Sequence, residues 1–281
     1  MQTPEPISWL RWTGGTHVGK IRKNNEDAFL ALTFNARDVQ FLGKIGEAPL
    51  ASDDFIFAVS DGMGGAQAGE FASRITVDKL TKLMPRAYRS GLAGIEVGFS
   101  DLFQELFSEI HRALAYLGDT YEECRGMGAT LSLAWFTPGW MYFAHIGDSR
   151  IYYLPAGGGM KQLTHDHSHV GWLLRTGRIN EREARTHPAR NSLQMALGAG
   201  HQFIDPHVGS VGLEPGDLFL LCSDGIIDGL WDKNILQLLR EPSPAEATLP
   251  PAQRLLEAAL ERSGKDNLTA VVVEVHPEAS S

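Results

Sequence analysis

The chain has 281 residues, of which 43% are apolar, and its formal net charge is −9 at pH 7. This length and composition are typical of a folded domain with a buried core, and the negative charge argues against a nucleic-acid partner. Because the two cysteines form no disulfide or zinc pattern, no signal peptide is recognisable and no apolar run reaches the ~20 residues of a membrane span, we expect a cytoplasmic protein without a membrane partner.

The first part of the chain is predicted to contain short strands, a loop excursion and one strongly apolar strand. Short strands are expected at 9–12 and 28–32, beside polar turns. Residues 35–54 are rich in turn-forming residues and are interpreted as an excursion without regular structure. The apolar run at 55–59 predicts a buried strand that leads directly into Asp61 and a glycine-rich stretch.

Two helices are predicted to follow this strand. Apolar residues at helical spacing predict the first at 66–84, and Pro85 is expected to end it. The second is expected at 100–117, where a stripe of leucine, phenylalanine and isoleucine indicates an amphipathic helix. We interpret this stripe as part of the hydrophobic core, because nothing in its pattern requires a cofactor.

The second part of the chain is predicted to consist mainly of strands. The period of the apolar residues changes to two, and strands are expected at 130–136, 140–146, 150–154, 217–222 and 267–275. Two further helices are expected at 231–239 and 252–261.

The order of these elements favours an α+β fold. Consecutive strands joined by tight turns predict antiparallel pairing, and the helices come in blocks. We therefore expect a four-layer αββα sandwich, in which two antiparallel β-sheets are flanked by helices, while a doubly wound α/β sheet is the alternative. A single domain is predicted at 7–276, between loose termini at 1–6 and 277–281.

Acidic side chains recur where the predicted strands begin or end. A single Asp-Gly after a strand is usually a turn, but here Ser-Asp-Gly follows two apolar runs, at Asp61 and at Asp224. Alternate strand ends of an antiparallel sheet meet at one edge, so we expect these carboxylates to converge with others at strand ends: Glu26, Asp27, Asp148 and Asp266. Converging carboxylates repel one another unless they are protonated or bind a cation, and oxygen ligands select Mg²⁺ or Mn²⁺.

Short motifs cover nearly the whole chain in a fixed order. They are Arg22-Lys-Asn-Asn-Glu-Asp27, Asp61-Gly-Met-Gly-Gly65, Gly126-Met-Gly-Ala-Thr130, Gly147-Asp-Ser-Arg150, Leu163-Thr-His-Asp-His-Ser168, Ser223-Asp-Gly-Ile-Ile-Asp228 and Asp266-Asn267. Together they resemble the motifs of the metal-dependent serine/threonine protein phosphatases, the type-2C family, in its stand-alone bacterial form. The resemblance implies the αββα fold and hydrolysis of phosphoserine and phosphothreonine by a water that two metal ions activate.

The resemblance also implies which residues hold the two ions, Mn²⁺ or Mg²⁺. Asp61 is expected to bridge both ions, and the carbonyl group of Gly62 is expected to be a further ligand. Asp224 and Asp266 are expected to bind the first ion. Glu26 is expected to bind the second ion, partly through water.

Substrate binding and a third metal ion are implied in the same way. Arg22 matches an arginine whose planar guanidinium binds two phosphate oxygens, so Arg22, Asp61 and Asp224 are the expected catalytic residues. Asp148 is expected to hold a third, weaker ion together with Asp224.

Two residues beside the ligands are implied to act through water, and one position departs from part of the family. Asp27 and Asn267 are expected to hold metal-bound waters. Some family members carry a histidine after the first Asp-Gly, where it can protonate the leaving group, whereas this chain has Met63. Methionine donates no proton, so the sequence leaves the general acid open.

Residues 165–196 combine five arginines with alternating histidines. Arg175, Arg178, Arg182, Arg185 and Arg190 are interpreted either as a solvated helix face or as part of a flap beside the active site, as the family suggests. His165, His167 and His169 would share one face of a strand and could bind zinc there, although the family motif already accounts for His167.

Three classes of function remain open from the sequence. The expected function is a protein phosphatase that acts on phosphorylated proteins, reverses a serine/threonine kinase and works as a monomer. The alternatives are a metal-dependent hydrolase of small phosphate esters and a catalytically silent binding module of the same fold. The silent module is disfavoured because Asp61, Asp224 and Asp266 are all present.

Overall fold

A computed structural model describes residues 8–35, 38–92 and 98–277 of the chain. The predicted loose termini therefore lie almost entirely outside the described residues. The strands are β1 (Ser8–His17), β2 (Asp27–Phe34), β3 (Val39–Phe41), β4 (Ile45–Leu50), β5 (Asp54–Met63), β6 (Gly128–Ala129), β7 (Leu131–Thr137), β8 (Trp140–Ile146), β9 (Arg150–Leu154), β10 (Lys161–Gln162), β11 (Leu197–Gly198), β12 (His207–Gly212), β13 (Leu218–Cys222) and β14 (Leu268–His276). The helices are α1 (Ala66–Leu92), α2 (Phe99–Thr120), α3 (His169–Arg175), α4 (Glu181–Thr186), α5 (Asp224–Gly229), α6 (Asp232–Arg240) and α7 (Pro251–Arg262).

The strands form two sheets, and the pairings between described strands are antiparallel. The first sheet has the order β10-β9-β13-β14-β1-β4. The second has the order β11-β6-β5-β7-β8-β12, and β2 joins it by pairing with β5 and with β3. Antiparallel pairing excludes the doubly wound α/β alternative, whose sheet is mainly parallel.

Alternating side chains of β5 show how the second sheet is placed in the sandwich. Phe55 and Phe57 are buried in the core between the two sheets. Ile56 and Ala58 point the other way and pack in a second core with residues of α1 and α2. A strand that is buried on both faces has a continuous apolar sequence. For this reason the sequence predicted a strand at 55–59.

The first sheet is covered in the same way on its outer face. Val271 and Val273 of β14 lie in the core between the sheets, whereas Ala270 and Val272 pack in a third core with residues of α5, α6 and α7. The order of layers is therefore helices, sheet, sheet and helices, which confirms the predicted αββα sandwich. No helix in the described parts of the chain is long and apolar enough to cross a membrane.

The prediction that residues 35–54 lack regular structure is wrong, because β3 and β4 lie in this segment. β4 pairs with β1 at the edge of the first sheet, with Gly46 opposite Trp12. A Cβ atom on Gly46 would lie 2.3 Å from the Trp12 ring, so the glycine that signals a turn in the sequence makes room for an aromatic side chain. Pro49 also fits here, since an edge strand tolerates the missing N–H group.

The predicted end of the first helix is also wrong. Helix α1 continues past Pro85 to Leu92. A proline inside a helix removes one hydrogen bond and strains the preceding turn, but it does not by itself stop the helix.

Candidate metal centre

The predicted acidic strand ends meet at one edge of the sandwich. In the pairing of β2 with β5, Asp27 lies directly opposite Asp61. Ser223, which follows β13 in the other sheet, donates a hydrogen bond of 2.7 Å from its Oγ to Oδ2 of Asp27. Because β2 and β13 belong to different sheets, this bond joins the two sheets where the carboxylates gather. Asp224 follows Ser223 as the first residue of α5.

The protein environment raises the pKa of the clustered carboxyl groups. Burial and then the charges of Asp27 and Asp224 raise the pKa of Asp61 well above its usual value. Burial and the charge of Asp148 do the same for Asp224, and burial raises the pKa of Asp27 to about 6. Asp61 and Asp224 keep some accessible surface, so a small ion can reach oxygens that the protein itself solvates poorly.

In the described part of the chain, three buried carboxylate oxygens have no hydrogen-bond partner. They are Oε1 of Glu26, Oδ1 of Asp27 and Oδ1 of Asp224. An unsatisfied buried oxygen is costly unless it is protonated or meets a cation, and oxygen donors of this kind suit Mg²⁺ or Mn²⁺. The donor set therefore fits a divalent ion.

The carboxylates do not already surround one point. Among the described residues, no three acidic, histidine or cysteine side chains form a ready-made group of metal ligands. Two of the predicted ligands are engaged by Arg22, whose Nη2 lies 2.8 Å from Oδ2 of Asp266 and whose Nη1 lies 3.6 Å from Oε2 of Glu26. The structure thus shows Arg22 at the acidic cluster, with its guanidinium balancing part of the negative charge.

Asn267 fixes the loop that carries Arg22 and Glu26. Its Oδ1 accepts a hydrogen bond of 2.7 Å from the N–H of Glu26. Its Nδ2 donates to the carbonyl oxygens of Val18, at 2.9 Å, and Asn24, at 3.0 Å. The structure therefore gives Asn267 a loop-positioning role that the sequence did not reveal, while its contact with a metal-bound water stays a prediction.

Gly62 brings Glu26 and the start of α1 together. Its N–H donates to the carbonyl oxygen of Glu26 at 3.1 Å. A Cβ atom at this position would lie only 1.9 Å from the carbonyl oxygen of Gly69, in the first turns of α1. Only glycine permits this close approach, and the metal-binding role of its carbonyl group stays a prediction.

Asp148 lies next to a small cavity under the arginine-rich segment. Burial and then the charge of Asp166 raise the pKa of Asp148 to about 7. The cavity has a volume of about 80 Å³, and its lining includes Asp148, Asp224 and Asp228. Asp228 was not singled out in the sequence, although it closes the same motif as Asp224. Asp148 and Asp224 at one cavity are compatible with the predicted weaker ion, which remains a prediction.

The arginine-rich segment is attached to α5 by two of its arginines. Arg185 donates hydrogen bonds to the carbonyl oxygens of Ile227 and Leu230. Arg190 forms an ion pair of 3.2 Å with Asp228. Arg185 therefore holds the segment against the rest of the protein, whereas Arg178 and Arg182 are exposed. The function of this segment as a flap stays a prediction.

The three alternating histidines have different neighbours. His165 stacks on His207 and His167 stacks on His145, with ring centroids 4.2 Å and 5.1 Å apart. His169 lies in α3. The rings therefore do not share the strand face that the zinc alternative needed.

His167 instead positions the loop before Asp148. Burial lowers the pKa of His167 to about 4, so the ring is neutral near pH 7. Its Nδ1 accepts a hydrogen bond of 3.1 Å from the N–H of Gly147. A neutral ring is what this contact requires, because a protonated Nδ1 would carry a hydrogen of its own.

Known proteins are similar to this chain over most of its length. A family model described as protein phosphatase 2C matches residues 48–271. The chain belongs to the protein phosphatase 2C family. It is 35% identical over 269 residues to the serine/threonine protein phosphatase PstP of Mycobacterium tuberculosis, a match that covers 95% of this chain and 45% of that protein. The chain therefore spans less than half the length of that relative.

Other relatives match over nearly their full length. The protein phosphatase PhpP of Streptococcus pneumoniae is 31% identical over 264 residues, which are 94% of this chain and 96% of PhpP. A crystal structure of the M. tuberculosis phosphatase PstP/Ppp has a TM-score of 0.74 and 32% identity, covering 95% of this chain and 99% of that one. The catalytic domain of PstP in complex with two manganese ions has a TM-score of 0.72 and 31% identity, covering 96% of this chain and 99% of that one.

Proposed function

We propose that this chain is a protein serine/threonine phosphatase that hydrolyses phosphoserine and phosphothreonine with two bound Mn²⁺ or Mg²⁺ ions. The observation that carries the proposal is the cluster at the shared edge of both sheets, where three buried carboxylate oxygens lack a partner beside a guanidinium. The names of PstP and PhpP as protein phosphatases, and the two manganese ions in the PstP complex, support it.

The proposed metal ligands are the acidic residues of the cluster. Asp61 would bridge the two ions, Asp224 and Asp266 would hold the first, and Glu26 and the carbonyl group of Gly62 would complete the set. When bound, the ions supply the positive charge that activates a water and neutralises the phosphoryl oxygens. Burial, and then the repulsion of neighbouring carboxylates, raises the pKa of Asp61 and Asp224, so these two side chains would be stabilised by a bound cation.

Arg22 is the proposed phosphate-binding residue. Contact with Asp266 raises its pKa above the usual arginine value, so the guanidinium is always charged. It is exposed enough to meet a substrate, and its planar fork can bind two phosphoryl oxygens. Asn267 keeps this loop in place by binding its backbone.

Met63 limits how the leaving group is protonated. It ends β5, one residue after Gly62, and its thioether cannot donate a proton. A serine or threonine alkoxide needs a proton more than a phenolate does, so substitution of Met63 by histidine should favour phosphothreonine peptides over an aryl phosphate.

We assign the weaker third ion to Asp148 and Asp224. The raised pKa of Asp148 and the cavity that it shares with Asp224 and Asp228 support this assignment. An Asp148→Ala variant should keep two tightly bound ions and turn over more slowly. If metal analysis of this variant found no bound ion, Asp148 would be a ligand of the main site.

The central experiment measures phosphate release from matched phosphoserine, phosphothreonine and phosphotyrosine peptides and from p-nitrophenyl phosphate. Activity should require Mn²⁺ or Mg²⁺, stop in excess EDTA and favour the phosphoserine and phosphothreonine peptides. Asp61→Asn should be inactive, while Asp119→Asn, which changes an exposed carboxylate on α2, should behave as wild type. Full activity in EDTA, or hydrolysis of small esters alone, would overturn the proposal.

The biological setting is proposed on the same basis. The substrates would be phosphoproteins, an opposing serine/threonine kinase would make them, and the enzyme would act in the cytoplasm as a monomer. Two free and buried cysteines, Cys124 and Cys222, are compatible with a reducing compartment. Cell fractionation and size-exclusion chromatography test the location and the oligomeric state.

A further inference from the structure

A wide groove separates the beginning of α1 from the end of α2. Its volume is about 570 Å³, and it is lined by Gln67, Ala68, Phe71, Leu117, Tyr121, Glu123 and Cys124. The lining is mainly apolar, yet Phe71 is 47% exposed and Tyr121 is 48% exposed. Two large aromatic side chains on opposite walls therefore face solvent instead of the protein core.

Both walls of the groove continue into the glycine-rich loop of the candidate metal centre. On the α1 side, a Cβ atom on Gly69 would lie 2.9 Å from Oε1 of Glu26, and Ala68 of the groove is the preceding residue. On the α2 side, a Cβ atom on Gly64 would lie 2.9 Å from the backbone of Met127, shortly after Cys124. One wall of the groove therefore adjoins Glu26, a proposed metal ligand, and the other adjoins Gly64 of the glycine-rich loop.

The rim of the groove is acidic. Glu123 is the charged residue of the lining, and it has no ion-pair partner within the described segments. Asp119, Glu122 and Arg125 are exposed nearby in the chain but do not line the groove. A basic group placed over the groove would gain a favourable electrostatic contact with Glu123.

Resting on the proposed function, we propose that this groove binds the substrate polypeptide next to the phosphorylated residue. One apolar side chain of the substrate packs between Phe71 and Tyr121, and a neighbouring lysine or arginine faces Glu123. Helix α1 rises about 9 Å between Gly65 and Phe71. An extended peptide covers that distance in about three residues, so the apolar residue lies about three positions from the phosphorylated one.

The first test uses a series of phosphothreonine peptides with one leucine and one lysine on either side of the phosphorylated residue. The leucine is moved from two to five positions away, and each peptide has a matched version with alanine for leucine or glutamine for lysine. We expect kcat/KM to be highest with leucine about three positions away, and to fall about tenfold with alanine, because the apolar contact is lost. Equal kcat/KM values across the series would overturn the proposal.

The second test changes the groove. Phe71→Ala should lower kcat/KM for the leucine peptide about tenfold, and Glu123→Gln should do so about threefold for the lysine peptide at low salt. Each variant should lose its effect on the matched peptide that lacks the contacted side chain. Turnover of p-nitrophenyl phosphate should not change, because this small ester does not reach the groove.

Neighbouring residues outside the lining provide matched controls. Tyr116→Ala removes a 66% exposed aromatic residue adjacent to Leu117, and Glu122→Gln removes an exposed charge adjacent to Glu123. Both should leave every peptide unaffected. If Phe71→Ala slowed p-nitrophenyl phosphate as much as the peptides, or if Tyr116→Ala acted like Phe71→Ala, the groove would not be a peptide site.

The outcomes also separate this proposal from the proposed function. Wild-type enzyme that hydrolyses all phosphothreonine peptides equally well supports the phosphatase function and overturns the groove. Wild-type enzyme that hydrolyses p-nitrophenyl phosphate but no phosphopeptide overturns both.

Discussion

The two Ser-Asp-Gly segments of this protein have the same sequence but different backbones. Ser60, Asp61 and Gly62 all lie within β5, which continues to Met63. In the second segment, β13 ends at Cys222, and Asp224 and Gly225 begin α5.

The glycines explain why the same tripeptide serves both places. Gly62 and Gly225 both lack a positive φ, so neither is needed for its backbone freedom. Each faces a carbonyl oxygen: an added Cβ would lie 1.9 Å from Gly69 in one case and 2.0 Å from Asn267 in the other. The comparison teaches that close packing behind each aspartate is the common requirement, whichever secondary structure provides it.

The largest effect should come from removing either aspartate. Asp61→Asn and Asp224→Asn should each lower kcat by about 10³-fold, because a proposed metal ligand loses its charge. Each should also raise the melting temperature in EDTA, since one buried carboxylate no longer repels its neighbours. Asp119→Asn is the control. If Asp61→Asn or Asp224→Asn kept full activity, that aspartate would not belong to the proposed site.

The next largest effect should come from adding a methyl group to the glycine that follows either aspartate. Gly62→Ala and Gly225→Ala should each lower the free energy of unfolding by about 3 kcal/mol, because backbone carbonyls cannot move away as a side chain can. Urea unfolding measures the change. Gly212→Ala, where a Cβ would meet no atom within 4 Å, should change the free energy of unfolding little. A similar loss at all three sites would show that packing is not the cause.

The pH dependence of the free energy of unfolding should show how strongly the two Ser-Asp-Gly segments interact through Asp27. The folded protein raises the pKa of Asp27 from 3.8 to about 6, so the folded state holds its proton longer than the unfolded state. The stability that this proton provides is present below pH 4 and is lost as the pH rises through 6, by about 3 kcal/mol. In EDTA, Asp27→Asn should flatten this fall in urea unfolding, whereas Asp119→Asn should not. Parallel stability profiles of the wild type and Asp27→Asn between pH 4 and pH 7 would contradict the expectation.

The smallest effects on stability should come from replacing the serine of each Ser-Asp-Gly segment, Ser60 or Ser223. Ser223 donates to the carboxylate of Asp27, whereas Ser60 donates to the backbone carbonyl of Thr130, in both cases at 2.7 Å. A hydrogen bond to a charged group is stronger, so Ser223→Ala should cost about 1.5 kcal/mol at pH 7 and Ser60→Ala about 1 kcal/mol. Only the Ser223 variant should recover part of its loss near pH 4, where Asp27 is protonated. Identical pH profiles would mean that the charge of Asp27 does not matter to Ser223.

The sequence predicted the parts of the site that local patterns determine. The apolar runs before Asp61 and Asp224 identified β5 and β13, because a strand buried on both faces needs no distant information to be recognised. Antiparallel pairing then led to the expectation that these carboxylates converge, and the structure places Asp27 opposite Asp61 and bonds it to Ser223, the residue before Asp224.

The parts that could not be predicted depend on residues distant in the chain. β4 is a strand because it pairs with β1, and Gly46 is there because of the Trp12 ring. Two contacts at the site depend in the same way on residues that are far apart in the sequence. They are the hydrogen bonds by which Asn267 positions the arginine loop and the ion pair of Arg190 with Asp228. A pattern within one window carries no information about such partners.

The bonds of Asn267 set the order in which this protein can become active. They join it to Val18, Asn24 and Glu26, across 241 to 249 residues of chain. Strand β1 pairs with the nearby β4 and, on its other side, with the distant β14. A chain emerging from the ribosome exposes one edge of its first strand and the arginine loop long before β14 and Asn267, which hold them, are made. Contacts of such long range slow folding, so hydrolytic capacity should arise in one late step when β14 docks, and never gradually during synthesis.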